Sequence, residues 1–346
     1  MPIKERQPLA QYTTFGIGGP ARWFAEAAKE NDIVEASEWA QERGVPLFVL
    51  GGGSNVLIAD AGFPGLVLRV GLKGIEPDGE IYKVGAGVDW DAFVEQAVEC
   101  GFAGIECLAG IPGTVGGTPV QNVGAYGQEV ASVIERVRVF DLTTREFREF
   151  GNSECGFGYR RSRFNLMDRG RYVVTRVDYR LKEGGSPTVR YQDVQQALQT
   201  SGKAIPTLAE VADVVRQIRR RKGMLLVEDD MDSRSAGSFF KNPVVSRELI
   251  GEIGRRSRSA PPSFPASAAE QEGYVKIPAA WLIEQAGFVK GYTLGHAGIS
   301  TKHTLALTNR GGATAEEILA LAKKIAAAVE ARFGIRLEME PELVGF

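Results

Sequence analysis

Hydrophobic and polar positions change period several times along the first third of the chain. Residues 21–27, Ala-Arg-Trp-Phe-Ala-Glu-Ala, predict a strand, and apolar residues at helical spacing from about Glu30 to Arg43 predict an amphipathic helix. Val45-Pro-Leu-Phe-Val-Leu50 is short, continuous and apolar, as a buried strand is. A second small unit starts near Gly65, with strands at 66–70 and 81–84 around a turn at Pro77-Asp-Gly79, followed by Asp89 as the cap of a helix running to about Cys100. Alternation from Val133 to Phe150 predicts a hairpin around Leu142-Thr-Thr144, and Tyr172 to Leu181 a further strand. The stretch Glu183-Gly-Gly-Ser-Pro187 is a linker. From Thr207, which caps a helix to about Arg221, the composition changes and a new domain opens. Residues 255–273 predict a flexible excursion, Thr314 to about Phe333 a long alanine-rich helix, and Ile335 to Leu343 a terminal strand.

Composition narrows the partners more than the fold. The 346 residues suffice for two or three domains with cores of their own, and 44% hydrophobic with 24% charged residues is ordinary for a soluble globular chain. A net charge of -2 gives no general attraction to nucleic acid or to an anionic membrane. No apolar signal segment follows Met1 and no window approaches a membrane span, which predicts a cytosolic protein. Cys100, Cys107 and Cys155 are odd in number and lack metal-type spacing, so reduced thiols and no metal site are expected.

Glycine, at 42 residues, is the outlier, and it concentrates in loops that suit a phosphate ligand. Gly104-Ile-Glu-Cys-Leu-Ala-Gly-Ile-Pro-Gly-Thr-Val-Gly-Gly-Thr-Pro-Val-Gln-Asn-Val-Gly-Ala-Tyr-Gly-Gln-Glu129 cannot be a regular helix, since glycine and proline both oppose one. Bare backbone there lets peptide N–H groups approach an anion; a plain connecting loop is the alternative. Gly51-Gly-Gly-Ser-Asn55 follows a buried strand, where Gly51, Gly52 and Gly53 can wrap a phosphate and Ser54 and Asn55 supply side-chain donors; a tight turn is the alternative. Gly16-Ile-Gly-Gly-Pro-Ala21 satisfies G-x-G-x-x-A formally, but no strand is predicted before it and Pro20 falls where the helix would open, so a Rossmann fingerprint is rejected.

Gly110-Ile-Pro-Gly-Thr-Val-Gly-Gly117 followed by Val120-Gln-Asn-Val-Gly-Ala-Tyr-Gly127 resembles the flavin-cradling loop of UDP-N-acetylenolpyruvoylglucosamine reductases, in the long form that carries a tyrosine lid loop. Further matches continue in family order to within five residues of the C-terminus. The resemblance implies an α+β fold: a two-part FAD-binding domain of the PCMH (vanillyl-alcohol oxidase-like) type over 1–64 and 65–203, and a C-terminal α+β substrate-binding domain over 204–346 whose last residues return to the active site. It implies noncovalent FAD held by Gly51, Gly52, Gly53, Ser54 and Asn55 and, in the central loop, by Gly110, Ile111, Pro112, Gly113, Thr114, Gly116, Gly117, Gln121, Asn122, Gly124 and Ala125.

By the same resemblance, Tyr159-Arg-Arg-Ser-Arg-Phe164 contains the catalytic arginine Arg160, although three arginines in four residues are more commonly a solvated surface. Ala236-Gly-Ser-Phe-Phe-Lys-Asn-Pro243 places the proton donor at Ser238 and a substrate contact at Asn242, and Glu340-Pro-Glu342 supplies the catalytic glutamate Glu342. Tyr126, Tyr191, Lys222 and Gln285 complete the implied substrate contacts, while Arg219 to Arg221 are readable as plain solvation at a helix C-terminus. Many members carry an arginine two residues after that glutamate, where this chain has Val344. The implied reaction is the reduction of UDP-N-acetylglucosamine enolpyruvate by NADPH through FAD in peptidoglycan precursor synthesis, by a monomeric enzyme. Two alternatives remain at this point: a flavin oxidase or dehydrogenase of the same fold group, with Cys107 as a flavin tether, or a nucleotide-binding protein without catalysis.

Overall fold

Strands Pro20–Ala27 and Leu47–Leu50 both run parallel to Phe63–Val70, which lies between them in a four-stranded sheet. The connecting helix α1 (Glu30–Glu42) buries Ile33, Ala36 and Ala40. Asp32 accepts hydrogen bonds from the N–H groups of Ala28 and Lys29 at 2.9 and 3.1 Å, which closes the helix start. The outer strand of this sheet, Lys4–Pro8, is almost wholly exposed and has no alternation, so periodicity does not predict it. Its presence removes one ground for rejecting a Rossmann fingerprint at Gly16, but the other stands, because Pro20 opens a strand and not a helix.

The computed structural model describes all residues except 200–204, 258 and 266–272, and the chain divides into two compact units. The first comprises residues 1–7, 21–53 and 63–221. Besides the sheet above it holds a five-stranded antiparallel sheet in the order 146–151, 134–141, 172–180, 81–85, 75–78, which contains the expected hairpin with Asp141 opposite Glu146. Helix α2 (Trp90–Glu99) is capped by Asp89, whose Oδ1 accepts from Ala92 N–H at 3.0 Å. It buries Trp90 and Phe93, and both rings lie within 5.9 Å of Tyr179 on the sheet. Aromatic contacts of this kind add about 0.5–1.5 kcal/mol each beyond area burial. Helices α3 (Gln192–Gln199) and α4 (Leu208–Arg221) complete the unit, α4 opening on the Thr207–Glu210 capping box.

The second unit comprises residues 8–20, 54–62 and 222–346. It contains helices α5 (Leu249–Arg256), α6 (Ala279–Gln285) and α7 (Ala315–Phe333) and short antiparallel sheets built from 244–246, 264–265 and 274–276 and from 293–294, 297–299 and 307–309. Helix α7 buries Ile318, Leu321, Ala322, Ile325 and Val329, the spacing of a core-facing stripe, and ends at Gly334, whose φ of +71° is the left-handed cap.

The units cut across the expected boundaries. Residues 8–20 and 54–62 join the second unit because their partners are there: Val56–Ile58 pairs in parallel with Glu342–Val344, and Asn309 donates to the Phe15 carbonyl at 3.0 Å. Helix α4 belongs to the first unit, and the boundary expected at 203/204 lies beside residues outside the description. The terminal strand is also shorter than predicted. Residues 338–340 pair with 239–241, 342–344 pair with 56–58, and Pro341, with no N–H, marks the change of partner. Of the expected excursion at 255–273, residues 258 and 266–272 lie outside the described residues, and Phe264–Pro265 is a strand.

Candidate active site

In the first unit, the N-terminus of α2 fixes the central glycine-rich loop. Trp90 N–H donates to Gly113 O at 3.1 Å and its indole Nε1 to Leu108 O at 3.1 Å, while Asp91 Oδ1 accepts from Gly110 N–H at 2.6 Å. Arg216 on α4 holds that same Asp91 carboxylate at 2.8 Å, and Arg219 Nε donates to Gly110 O at 2.9 Å, so the two peptide groups flanking Gly110 are gripped from two helices. Burial lowers the Arg219 pKa, opposed by the Tyr126 hydroxyl it bonds and by Asp91. Arg219 is therefore part of the loop's support, a correction to its reading as solvation; Arg220 and Arg221 are exposed as expected.

The Arg160 segment is fastened to the same loop. Asn122, buried and left-handed at φ +43°, donates to Gly158 O and to Glu129, each at 3.0 Å, and accepts from Ala131 N–H at 3.1 Å. Its side-chain amide thus binds protein, where a contact with a cofactor was expected. Ser162 Oγ, fully buried, donates to Val120 O at 2.7 Å, and Arg160 Nη2 donates to Gly124 O at 2.8 Å. Arg160 is half-buried with φ +54°, a left-handed conformation that costs a non-glycine residue about 1–2 kcal/mol. Tyr191 immediately precedes α3, with no strand around it, and its ring stands edge-on to Tyr126 at 5.4 Å and 90°.

In the second unit, residues 238–241 lie between two other stretches. Phe239 N–H donates to Leu305 O at 2.8 Å and Glu340 N–H donates to Phe239 O at 2.9 Å. Phe239 and Phe240 are buried and anchor this stretch, which leaves Ser238 half-buried. Asn55 donates to Glu340 O at 3.2 Å and its carbonyl accepts from Glu342 N–H at 3.0 Å, so Glu342 is set two residues beyond Glu340, the residue that pairs with Ser238's neighbour Phe239. That side-chain amide was expected to meet a phosphate; here it fixes the segment that leads to Glu342. Asn242 Oδ1 accepts from Ala279 N–H at 2.9 Å at the start of α6, and Gln285 ends that helix. Burial, with Lys222 and Lys290 near it, pushes the pKa of His303 down to about 4. Val344, buried in the terminal ladder, leaves no cation at that position.

A family model for the C-terminal domain of UDP-N-acetylenolpyruvoylglucosamine reductase matches residues 229–344, and a model for an FAD binding domain matches residues 21–147. The UDP-N-acetylenolpyruvoylglucosamine reductase of Thermobifida fusca is 46% identical over 351 aligned positions, covering 98% of this chain and 97% of that protein. The protein of that name from Streptomyces coelicolor is 45% identical over 99% of this chain and 91% of its own. The chain belongs to the UDP-N-acetylenolpyruvoylglucosamine reductase family. The crystal structure of the Thermus caldophilus enzyme superposes over 99% of both chains with a TM-score of 0.68 at 30% identity.

The expected α+β fold with an FAD-binding domain is that of the family. FAD, which that domain binds, fits the loops of the first unit on two counts. Among the described residues, Thr114 Oγ1 is the buried side-chain oxygen or nitrogen without a hydrogen-bond partner. A Cβ on Gly51 would stand 3.1 Å from that hydroxyl, and one on Gly52 only 2.6 Å from Gly113 Cα, so the two glycine loops meet in a way that side chains would prevent. Cys107 is buried and its thiol is pushed up to about 12, which keeps it protonated and unsuited to tether a flavin. No group of side chains suited to a metal occurs among the described residues.

Arg160, Tyr126 and Tyr191 thus lie in the first unit, and Ser238, Glu342, Lys222, Asn242 and Gln285 in the second. Asp91, Arg216, Arg219 and Asn165 were missed by sequence reasoning. Their partners are backbone groups or distant side chains, which leave no periodic signal.

Proposed function

We propose that the protein reduces UDP-N-acetylglucosamine enolpyruvate to UDP-N-acetylmuramate, using NADPH as reductant and FAD as cofactor, in the cytoplasmic synthesis of peptidoglycan precursor. The observation that carries this reading is near-full-length relatedness at 46% identity in a chain that carries Arg160, Ser238 and Glu342. Bound FAD supplies the two-electron chemistry that no side chain can perform.

The chain's own residues position and protonate. Arg160, planar and permanently charged, suits the substrate carboxylate, where two parallel N–H donors stabilise the charge that builds up during reduction. Glu342 polarises the enol form through a hydrogen bond, and Ser238 gives a proton to carbon. Thr114 and the backbone of Gly51 to Gly53 and Gly110 to Gly117 hold the cofactor, and Tyr126, Tyr191, Lys222, Asn242 and Gln285 hold the substrate. The enzyme proposed is a monomer. No described helix is long and apolar enough to cross a membrane.

Anaerobic stopped-flow absorbance at the flavin band tests the reading. NADPH should bleach the protein, and enolpyruvyl-UDP-N-acetylglucosamine should restore the colour without oxygen. Recovery only on admission of air would favour an oxidase; no bleaching at all would favour a nucleotide-binding protein without catalysis.

A further inference from the structure

Gly158 and Arg161 exchange both backbone hydrogen bonds, at 3.0 and 3.1 Å, which makes Tyr159 and Arg160 the two central residues of a tight turn. The second central position, with its φ of +54°, is where glycine is favoured. Arginine stands there instead. A strained non-glycine residue persists only when its surroundings over-determine it, and such residues concentrate at functional sites.

Asn165 supplies the restraint at the strained residue itself. Its Nδ2 donates to Arg160 O at 3.1 Å and its Oδ1 accepts from Ser162 N–H at 2.9 Å, so one planar amide brackets the backbone from residue 160 to residue 162. Ser162 cannot move to follow a loosened turn, because its buried hydroxyl is tied to Val120 O at 2.7 Å and to Phe164 N–H at 3.1 Å. With Ser162 fixed, Asn165 sets the rotation of the Arg160 carbonyl. That rotation in turn fixes the direction in which the Arg160 side chain leaves the backbone. The neighbouring Arg163 does not compete for this role, since Asp168 holds it at 2.9 Å and it bonds Glu154 O at 3.0 Å.

We propose that Asn165 is a positioning residue that aims Arg160 at the substrate carboxylate by holding it in the left-handed turn. The inference rests on the proposed role of Arg160. Loss of the bracket lets residue 160 relax toward an unstrained φ, breaks the bond from Arg160 to Gly124 O and swings the guanidinium away, while residues 108–113, held by α2 and α4, keep their supports.

The test uses the FAD-loaded enzyme and measures both half-reactions separately by anaerobic stopped flow, with a thermal melt of each variant. Asn165→Ala should slow reoxidation by the enolpyruvyl substrate about 10-fold to 100-fold, the scale of a small misplacement of a catalytic group, and leave reduction by NADPH within about 2-fold. Asn165→Asp, nearly the same shape but without the Nδ2 donor at neutral pH, should behave alike and covers the case in which the alanine variant folds poorly. In an Arg160→Ala background the Asn165 change should add no further loss, because a residue acting through Arg160 has nothing left to aim. Equal slowing of both half-reactions, or a full additional loss in the double variant, would overturn the inference while the parent enzyme's turnover upholds the function. A parent that is reduced by NADPH but inert toward the substrate would overturn the function and this inference with it.

Discussion

Gly52→Ala is the sharpest test of how the flavin cradle is built. The residue does not have a left-handed φ, so strain is not the obstacle. Space is: the new Cβ would lie 2.6 Å from Gly113 Cα, 2.8 Å from Gly113 C and 3.0 Å from Thr114 N, all backbone atoms, where ordinary contact begins at 3.4 Å. The two loops must therefore separate by about 0.8 Å, enough to stretch an ordinary hydrogen bond beyond its working range. If one or two N–H bonds to the cofactor's diphosphate are lost at about 1.5–3 kcal/mol each, the dissociation constant for FAD should rise at least about 10-fold for one bond and about 100-fold for two. Fluorescence titration of flavin into deflavinated protein measures this directly. In the flavin-free protein Gly52→Ala should also lower the melting temperature, whereas Gly117→Ala should leave it unchanged, because a Cβ there meets nothing within 4 Å and its φ is not left-handed. FAD binding by Gly52→Ala with the parent's affinity would refute the account of the two loops as one cradle.

Ser238→Ala should slow reoxidation by the enolpyruvyl substrate by about 100-fold to 10,000-fold and spare flavin reduction by NADPH, the range for loss of a general acid; equal effects in stopped flow on the two half-reactions would remove Ser238 from that role. His303 has a folded pKa near 4 against 6.5 for its ordinary value, so between those pH values the unfolded chain binds a proton that the folded chain refuses, and stability must fall as pH falls through that window, by about 3 kcal/mol at most. Urea midpoints of His303→Asn at pH 7 and pH 4.5 should differ less than the parent's, and an identical pH dependence would contradict the burial argument. Cys100 is exposed while Cys107 and Cys155 are buried with thiols pushed up to about 12, so a disulfide reagent at pH 7.5 should label one thiol in the native protein and three in denaturant; rapid labelling of two or three in the native state would contradict the burial of these cysteines.

Local signals in the sequence carried a large part of the fold. Asp89, Thr207 and Thr314 are each followed three residues later by the N–H or the glutamate that a helix start uses, and all three open helices within a residue of the expected place. What the sequence did not show is which distant group each polar residue would meet. Helix α4 was placed with the C-terminal domain because composition changes at Thr207, yet Arg216 meets Asp91 across 125 residues of sequence and Arg219 meets Gly110 across 109. Likewise Asn55 follows three glycines and has the look of a phosphate donor, but its amide closes on Glu340, 285 residues away. Pairings of that range have no period and no local composition.

Motif recurrence is therefore a mixed kind of evidence, and the structure separates its parts. Within Tyr159-Arg-Arg-Ser-Arg-Phe164, Ser162 and Phe164 are buried and hold the segment to the glycine-rich loop, while Arg160 is lifted partly out of the core on a strained turn. Within Ala236-Gly-Ser-Phe-Phe-Lys241, the two phenylalanines are the anchor and Ser238 is the half-exposed residue beside them. In both cases the apolar or hydroxyl neighbours anchor the motif, and the residue proposed for the chemistry is a partly exposed one beside them. Arg160 is the stronger instance, because a glycine would satisfy its turn with less strain. The same criterion moves Asn122 from ligand to scaffold: its side chain makes three hydrogen bonds to protein, so removing it should loosen the loop and the Arg160 turn together.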